Sequence, residues 1–261
     1  MKTKFLNFFL LLTLFFSGCH FNSLGHKEIV EAQAAINNQA FKKAEKKILS
    51  ALRFDLSNKL KIKALHQLGV IRAFHLDDLD GALEVFIKTL EIAKDKDTKK
   101  KSKVYLANLY FEKLRNYEKS SPLYRDLFSS EKNNELKVQY YSRYIRSIYE
   151  QHNFKLVLLE TKNIELNEDN LEPMMLKALS FYFIGNEKKS LDILSNLERF
   201  SKIKVNLLIE VKLFKALILE NGEYLRKSYG EYVELFKFFP NSDLIKRRIK
   251  ELIKRKKNIK R

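Results

Sequence analysis

The sequence predicts an all-α chain: an α-solenoid of stacked helix-turn-helix units closed by one terminal helix. Three observations carry this expectation. Proline occurs 3 times and glycine 7 times in 261 residues, well below ordinary usage of about 5% and 7%, so the turns an all-β fold needs are scarce. Leu, Lys, Glu and Ala dominate long stretches, as helices prefer. A small residue followed four positions later by an apolar one recurs at near-regular intervals, which marks a repeat array.

The recurrence can be read directly. Ala44 precedes Ile48, Ala82 precedes Phe86, Ser120 precedes Tyr124, Ser190 precedes Leu194 and Ser228 precedes Tyr232. Val157 keeps the spacing, with Thr161 as its partner. The separations between successive anchors are 38, 38, 37, 33 and 38 residues. Apolar residues at helical spacing, such as Leu106, Leu109 and Tyr110, place paired helices at about 27–37 with 40–53, 59–75 with 79–94, and 98–114 with 117–129. The pairs continue at about 132–151 with 154–164, 169–184 with 187–199, and 203–220 with 223–238. Asp80 and Ser242 are expected N-caps, and Pro240 ends the sixth pair. Residues 94–103, dense in lysine, read as a solvated turn and helix start. A last helix at about 242–257 would cover the final apolar edge with Leu244, Ile245, Ile249, Leu252 and Ile253, because repeat stacks need a cap for solubility.

Several units carry further marks. Leu68-Gly69 opens the second, which Ala82 and Phe86 close. The fifth offers Ala178, Phe181 and a Gly185-Asn186 turn. The sixth offers Ala216, Asn221-Gly222, Tyr232, Leu235 and Pro240. Together these resemble the tetratricopeptide repeat (TPR) over residues 27–240, without its tryptophan. The resemblance implies that small residues sit where two helices cross, and that first helices line a concave groove. It further implies that side chains two, five, nine and twelve positions into a unit face that groove. Here these are Tyr105 and Glu112 in the third unit, Gln139, Arg146 and Tyr149 in the fourth, and Met175 and Tyr182 in the fifth. Tyrosine and arginine also favour binding hot spots. The tyrosines of residues 139–150 admit a second reading, as packing between helices.

The N-terminus has its own pattern. Lys2 and Lys4 precede an apolar run of 12 residues, Phe5 to Phe16, and then Ser17, Gly18 and Cys19. A basic start, a short apolar stretch and small residues make a secretory signal. The run is too short for a spanning helix, which needs about 20 residues. Phe16-Ser17-Gly18-Cys19 resembles the lipobox of bacterial lipoproteins, and the resemblance implies cleavage before Cys19 and its acylation. Cys19 is the only cysteine, so the mature chain holds no internal disulfide. The expected organisation is a signal peptide at 1–18, a lipidated N-terminus and tether at 19–26, the repeat domain at 27–240, and a capping helix with basic tail at 241–261.

The formal net charge is +18. From Lys246 to Arg261 there are ten Lys/Arg and one acid. Lys254, Arg255, Lys256, Lys257, Lys260 and Arg261 form an electrostatic tail that would meet an anionic lipid or an acidic partner; a solvated, fraying cap is the plain alternative. The expected secretion argues against nucleic acid. The five histidines form no metal-ligand cluster, and Asp77-Asp78-Leu79-Asp80-Gly81 fails as a calcium loop because Leu76 and Ile87 stand where oxygen ligands belong. No phosphate loop or nucleophile elbow is present, so no cofactor, metal or catalytic residue is assigned.

The expected function is a membrane-anchored interaction scaffold of the bacterial cell envelope, binding a protein or peptide partner in its groove. An accessory lipoprotein of an outer-membrane barrel-assembly or pilus-assembly machine is the alternative, and an envelope enzyme a weaker one. His20 after the cysteine favours the outer membrane, facing the periplasm, with the inner membrane and the cell surface as alternatives.

Overall fold

Each pair of helices is joined by a turn built the same way. The computed structural model describes residues 24–240 and 242–259, with side chains as far as Arg255. The expected signal peptide, Cys19 and His20 lie outside the described residues. Among those described, regular structure is helical, with no strand. The chain forms two compact units, Met1–Asn116 and Tyr117–Arg261.

In the first unit, α1 spans 24–37, α2 Phe41–Ala51, α3 Asn58–His75, α4 Leu79–Ile92 and α5 Lys96–Asn108. α5 runs on into a π-helical turn, Leu109–Lys113. The core joins Ala32, Ala35, Ala44, Ile48, Ala64, Leu65, Leu68 and Ile71. A second layer stacks Phe86 on Tyr105 at 5.0 Å, with His66 edge-on to both rings.

In the second unit, α6 spans Tyr117–Ser130, α7 Asn134–Glu150, α8 Phe154–Glu160, α9 Leu171–Phe183, α10 Glu187–Glu198, α11 Val205–Asn221, α12 Leu225–Phe238 and α13 Asp243–Ile259. A 3₁₀ turn, Glu168–Asn170, leads into α9. One core gathers Met174, Met175, Ala178, Leu194, Leu197 and Val211. Another gathers Ala216, Leu225, Tyr232 and Leu235 with Ile245 and Leu252 of α13. Beside it, the buried Glu220 carboxylate accepts hydrogen bonds from Tyr232 Oη (3.1 Å) and from Arg248 and Arg255 Nη1 (3.4 and 3.2 Å). α13 is therefore held by apolar contact and by charge.

The small-x-x-x-apolar positions are the crossing points. None of the twelve residues, Ala44 to Tyr232, is more than 1% exposed. A residue of phenylalanine or isoleucine size contributes about 1.5–3 kcal/mol on full burial. The small partner keeps the backbones close enough for this. Where it is serine, its hydroxyl needs an acceptor: Ser228 Oγ donates to the Ala216 carbonyl at 2.9 Å, and Ser120 Oγ pairs with Ser147 Oγ at 3.0 Å.

Five residues before every anchor the backbone turns left-handed. Gln39, Asp77, Arg115, His152, Gly185 and Glu223 all have positive φ, between 49° and 84°. This conformation ends a helix by letting the next N–H reach back to an orphaned carbonyl. Ala40, Asn153, Asn186 and Tyr224 N–H groups donate to Ala35, Ile148, Phe181 and Leu219 carbonyls in that way. Asp78 and Asn116 reach one residue further, to Arg72 and Tyr110. The following residue then caps the second helix: Asp78, Asn153 and Asn186 accept from Gly81, Leu156 and Lys189 N–H.

Some expectations need correction. Residues 24–26, assigned to the tether, belong to α1. Asp78, not Asp80, caps α4. The sixth turn is left-handed at Glu223, while Gly222 keeps φ −79°. α8 stops at Glu160, short of 164, where the Thr161 hydroxyl donates to the Val157 carbonyl at 2.6 Å.

Candidate partner-binding grooves

First helices line a groove in each unit. In the second unit it measures about 410 Å³ and lies between α7, the 3₁₀ turn, α9 and the start of α11. Ser142, Arg146, Glu168, Glu172, Asn206 and Glu210 are among its walls. Arg146 is the central group. Its Nε donates to Glu172 Oε1 at 2.6 Å, and Glu150 lies 3.6 Å away. Burial opposes its charge, but Glu172, Glu150 and Glu210 outweigh that and hold the guanidinium pKa above its usual value. Arg146 and Lys204 face Glu168, Asp169, Glu172 and Glu210, so the lining is acidic on balance.

Arg146 stands where the TPR resemblance placed it. Its partner Glu172 was not foreseen, because the i,i+4 and family-position counts do not link residues 26 apart. Gln139 is exposed on α7. Tyr149 and Tyr182 are half-buried and meet around the exposed Phe183, at 6.4 and 5.4 Å. Phe154 stacks on Phe183 at 4.6 Å. Tyr182 Oη accepts from Asn221 Nδ2 at 2.8 Å. Met175 must be corrected: at 2% exposure it is a core residue between helices and cannot touch a partner.

The tyrosines preceding Arg146 pack between helices. Tyr140 and Tyr144 are buried, and Tyr141 Oη donates to the Glu160 carbonyl at 3.1 Å. Burial, followed by the nearby Glu160 carboxylate, pushes the Tyr144 pKa up to about 12.

In the first unit, Tyr105 is wedged among Phe86, His66 and Phe74. Glu112 is exposed on the π turn. A separate groove of about 500 Å³ lies between α3 and the start of α5, lined by Asn58, Lys59, Ile62, Lys63, His66, Lys94, Asp95, Thr98 and Lys101. Its lysines belong partly to the 94–103 segment, whose charge alternation hides the fact that Lys94 and Lys101 face one hollow.

A third hollow, about 760 Å³, lies over α10, α11 and α12. Its floor is a four-charge cluster. Lys212 and Lys215 both bond Glu198, and Lys215 reaches Glu231 at 2.8 Å. Lys215 thereby ties Glu198 of α10 to Glu231 of α12, which makes the cluster a clamp between helices, although Glu231 Oε2 is buried without a hydrogen-bond partner.

Among the tail residues, Arg255 binds Glu220 and Lys254 is exposed. Lys256, Lys257, Lys260 and Arg261 have side chains outside the described region. Among the described residues no helix is long and apolar enough to cross a membrane, and no cluster of His, Cys, Asp or Glu could hold a metal ion.

No protein-family model matches the chain, and no curated protein matches it by sequence. Solved structures do match. PilW, a widely conserved type IV pilus biogenesis factor, is 14% identical over 89% of this chain and 99% of its own, with a TM-score of 0.52. A chain of Naa15/Naa10 bound to HypK-THB is 13% identical over 88% of this chain, with a TM-score of 0.55; this chain spans 34% of it. The apo quorum sensor NprR from B. thuringiensis is 11% identical over 88% of this chain and 68% of its own, with a TM-score of 0.51. At such identities the likeness concerns the fold. The class is settled on that level: this is an all-α, TPR-like helical-repeat protein.

Proposed function

We propose that this protein is a non-enzymatic interaction scaffold of the bacterial cell envelope, anchored through lipid on Cys19, with a peptide or protein partner in the groove of its first helices. The observation that carries the reading is Arg146. It is a half-buried cation among four carboxylates in a hollow lined by three successive first helices. Such a lining suits a segment that can exchange ion pairs with it. The signal-like start supports the anchor and the compartment, and His20 supports the outer membrane. The basic tail supports an added contact with anionic lipid, with about 1 kcal/mol per basic residue near such a surface.

The second reading is an accessory role in pilus assembly. Likeness to PilW in fold and over nearly its whole length supports it.

The test is site-specific photo-crosslinking in intact cells. A photoreactive residue is placed at Ser142 or Asn206 in the groove, or at Glu118, exposed on α6, as an outer control. One partner band from both groove sites and none from Glu118 is expected. Equal bands from the control would overturn the groove assignment.

A further inference from the structure

The two grooves differ in sign. The hollow of the first unit is lined by four lysines and one aspartate. Asp95 is already engaged, its Oδ1 accepting from Thr98 N–H at 2.7 Å as the cap of α5. Among the described residues, none of Lys59, Lys63, Lys94 and Lys101 is in an ion pair, although pairs are frequent elsewhere in the unit, as with Arg72 and Lys47. The four lysines are exposed while Ile62, Thr98 and His66 are half-buried. The hollow therefore has an ammonium rim above a mostly apolar floor. In that floor His66 Nε2 is buried without a hydrogen-bond partner, and a buried polar atom left unmatched is costly.

We propose that this groove binds an acidic segment of a partner protein, with side-chain carboxylates on the lysine rim and apolar side chains on Ile62 and Thr98. The inference rests on the scaffold reading and adds the partner's chemistry. Four ammonium groups face a single carboxylate, that of Asp95, so the hollow keeps a net positive charge, and bound carboxylates would relieve the repulsion among the lysines. His66 Nε2 would gain an acceptor if its imidazole became protonated. Burial, and then the Lys101 ammonium, hold its pKa below the usual value in the free protein; Lys59, Lys63, Lys94 and Asp95 are the other charged groups lining the hollow. A bound carboxylate would raise it. A nucleic acid strand fits less well, because single strands bind by stacking bases on open aromatic faces, and Phe86 and Tyr105 already stack on each other. A flat lipid surface would not fill the floor.

The experiment uses the full chain in neutral detergent. The probe is a peptide of repeated Glu-Glu-Leu with a neutral fluorophore. A Gln-Gln-Leu peptide and a single-stranded oligonucleotide serve as comparisons. The acidic peptide should bind, weaken with added salt, and lose roughly tenfold in affinity when Lys63→Glu and Lys101→Glu are combined. Lys46→Glu, exposed on α2 and outside the lining of this hollow, should leave binding unchanged. Both rim lysines are exposed, so melting curves should match the wild type. The His66 imidazole resonance should titrate at higher pH with peptide bound. Equal binding of the Gln peptide, indifference to the rim reversal, or preference for the oligonucleotide would each overturn the proposal. If crosslinks at Asn206 persist while the rim reversal changes nothing, the scaffold reading stands and this inference falls.

Discussion

Gly69 and Phe86 lie so close that a β-carbon on the glycine would sit 2.6 Å from the ring. The ring is fully buried, stacked on Tyr105 and edge-on to His66. It has no room to withdraw. Gly69→Ala should therefore destabilise the fold by about 1–3 kcal/mol through overpacking, despite alanine's better helix propensity. Urea unfolding measures it. A neutral or stabilised variant would show that the helices can part at this crossing.

The left-handed turns make the opposite forecast for glycine. Gln39 and Glu223 are exposed, with φ of 55° and 62°. A side chain in this region costs roughly 1–2 kcal/mol per residue. Gln39→Gly and Glu223→Gly should each be neutral to stabilising by up to about 1 kcal/mol, read as a rise in melting temperature. A marked fall in both would mean that the side chains hold the turns.

Ser190 and Ser228 occupy equivalent, fully buried anchor positions. Ser228 Oγ has its acceptor on Ala216, whereas Ser190 Oγ has none among the described residues. Ser228→Ala should cost about 0.5–1.5 kcal/mol, and Ser190→Ala should gain up to about 1 kcal/mol. Equal losses in paired chemical denaturation curves would contradict this asymmetry.

Acid should act through the charge clamp. Burial raises the Glu198 pKa, but hydrogen bonds from Lys212 and Lys215 outweigh it, and the net shift is below 4.5. The unfolded chain then binds the proton more tightly. The contribution is complete above about 4.5 and is lost as pH falls through the lower folded value. Stability of the wild type should therefore decline more steeply across that acid window than stability of Glu198→Gln. Parallel stability–pH profiles would remove Glu198 from the acid response.

Lipidation has a direct measurement. Cells fed a labelled fatty acid should incorporate it into the wild type and not into Cys19→Ser, which should accumulate with its signal uncleaved. Equal incorporation would end the anchor proposal.

Much of the repeat was legible because burial leaves a periodic trace. The anchors from Ala44 to Ser228 are alanine or serine where helices cross, with Val157 the exception among the six. The turns were hidden. A search for glycine finds Gly185 but not Gln39, Asp77, Arg115, His152 or Glu223, because tertiary packing imposes a backbone angle those residues disfavour. Groove positions were legible only where helices keep 3.6 residues per turn. Glu112 falls inside the π turn Leu109–Lys113, whose i→i+5 bonding puts more residues in each turn and rotates every later side chain away from the counted face. Met175 was misplaced for a related reason. α9 is apolar on nearly all sides, with eight of its residues buried, so position counting cannot tell its inner face from its groove face.

A stack of helix pairs carries no intrinsic length, since each new pair leaves a fresh apolar edge. Here the edge meets Ile245 and Leu252 of α13, while Glu220 of α11 fastens α13 through Arg248 and Arg255. What α13 turns outward includes Lys254 and Arg247, together with Leu244 and Ile253, which were expected to cover the edge but are 60% and 40% exposed. Two copies approaching by this end would meet like charge within the roughly 8 Å over which salt leaves it unscreened. The helix works as a chain terminator for a one-dimensional polymer. One such helix can close the stack whatever the number of pairs before it, so that number can change by duplication while the last edge stays covered.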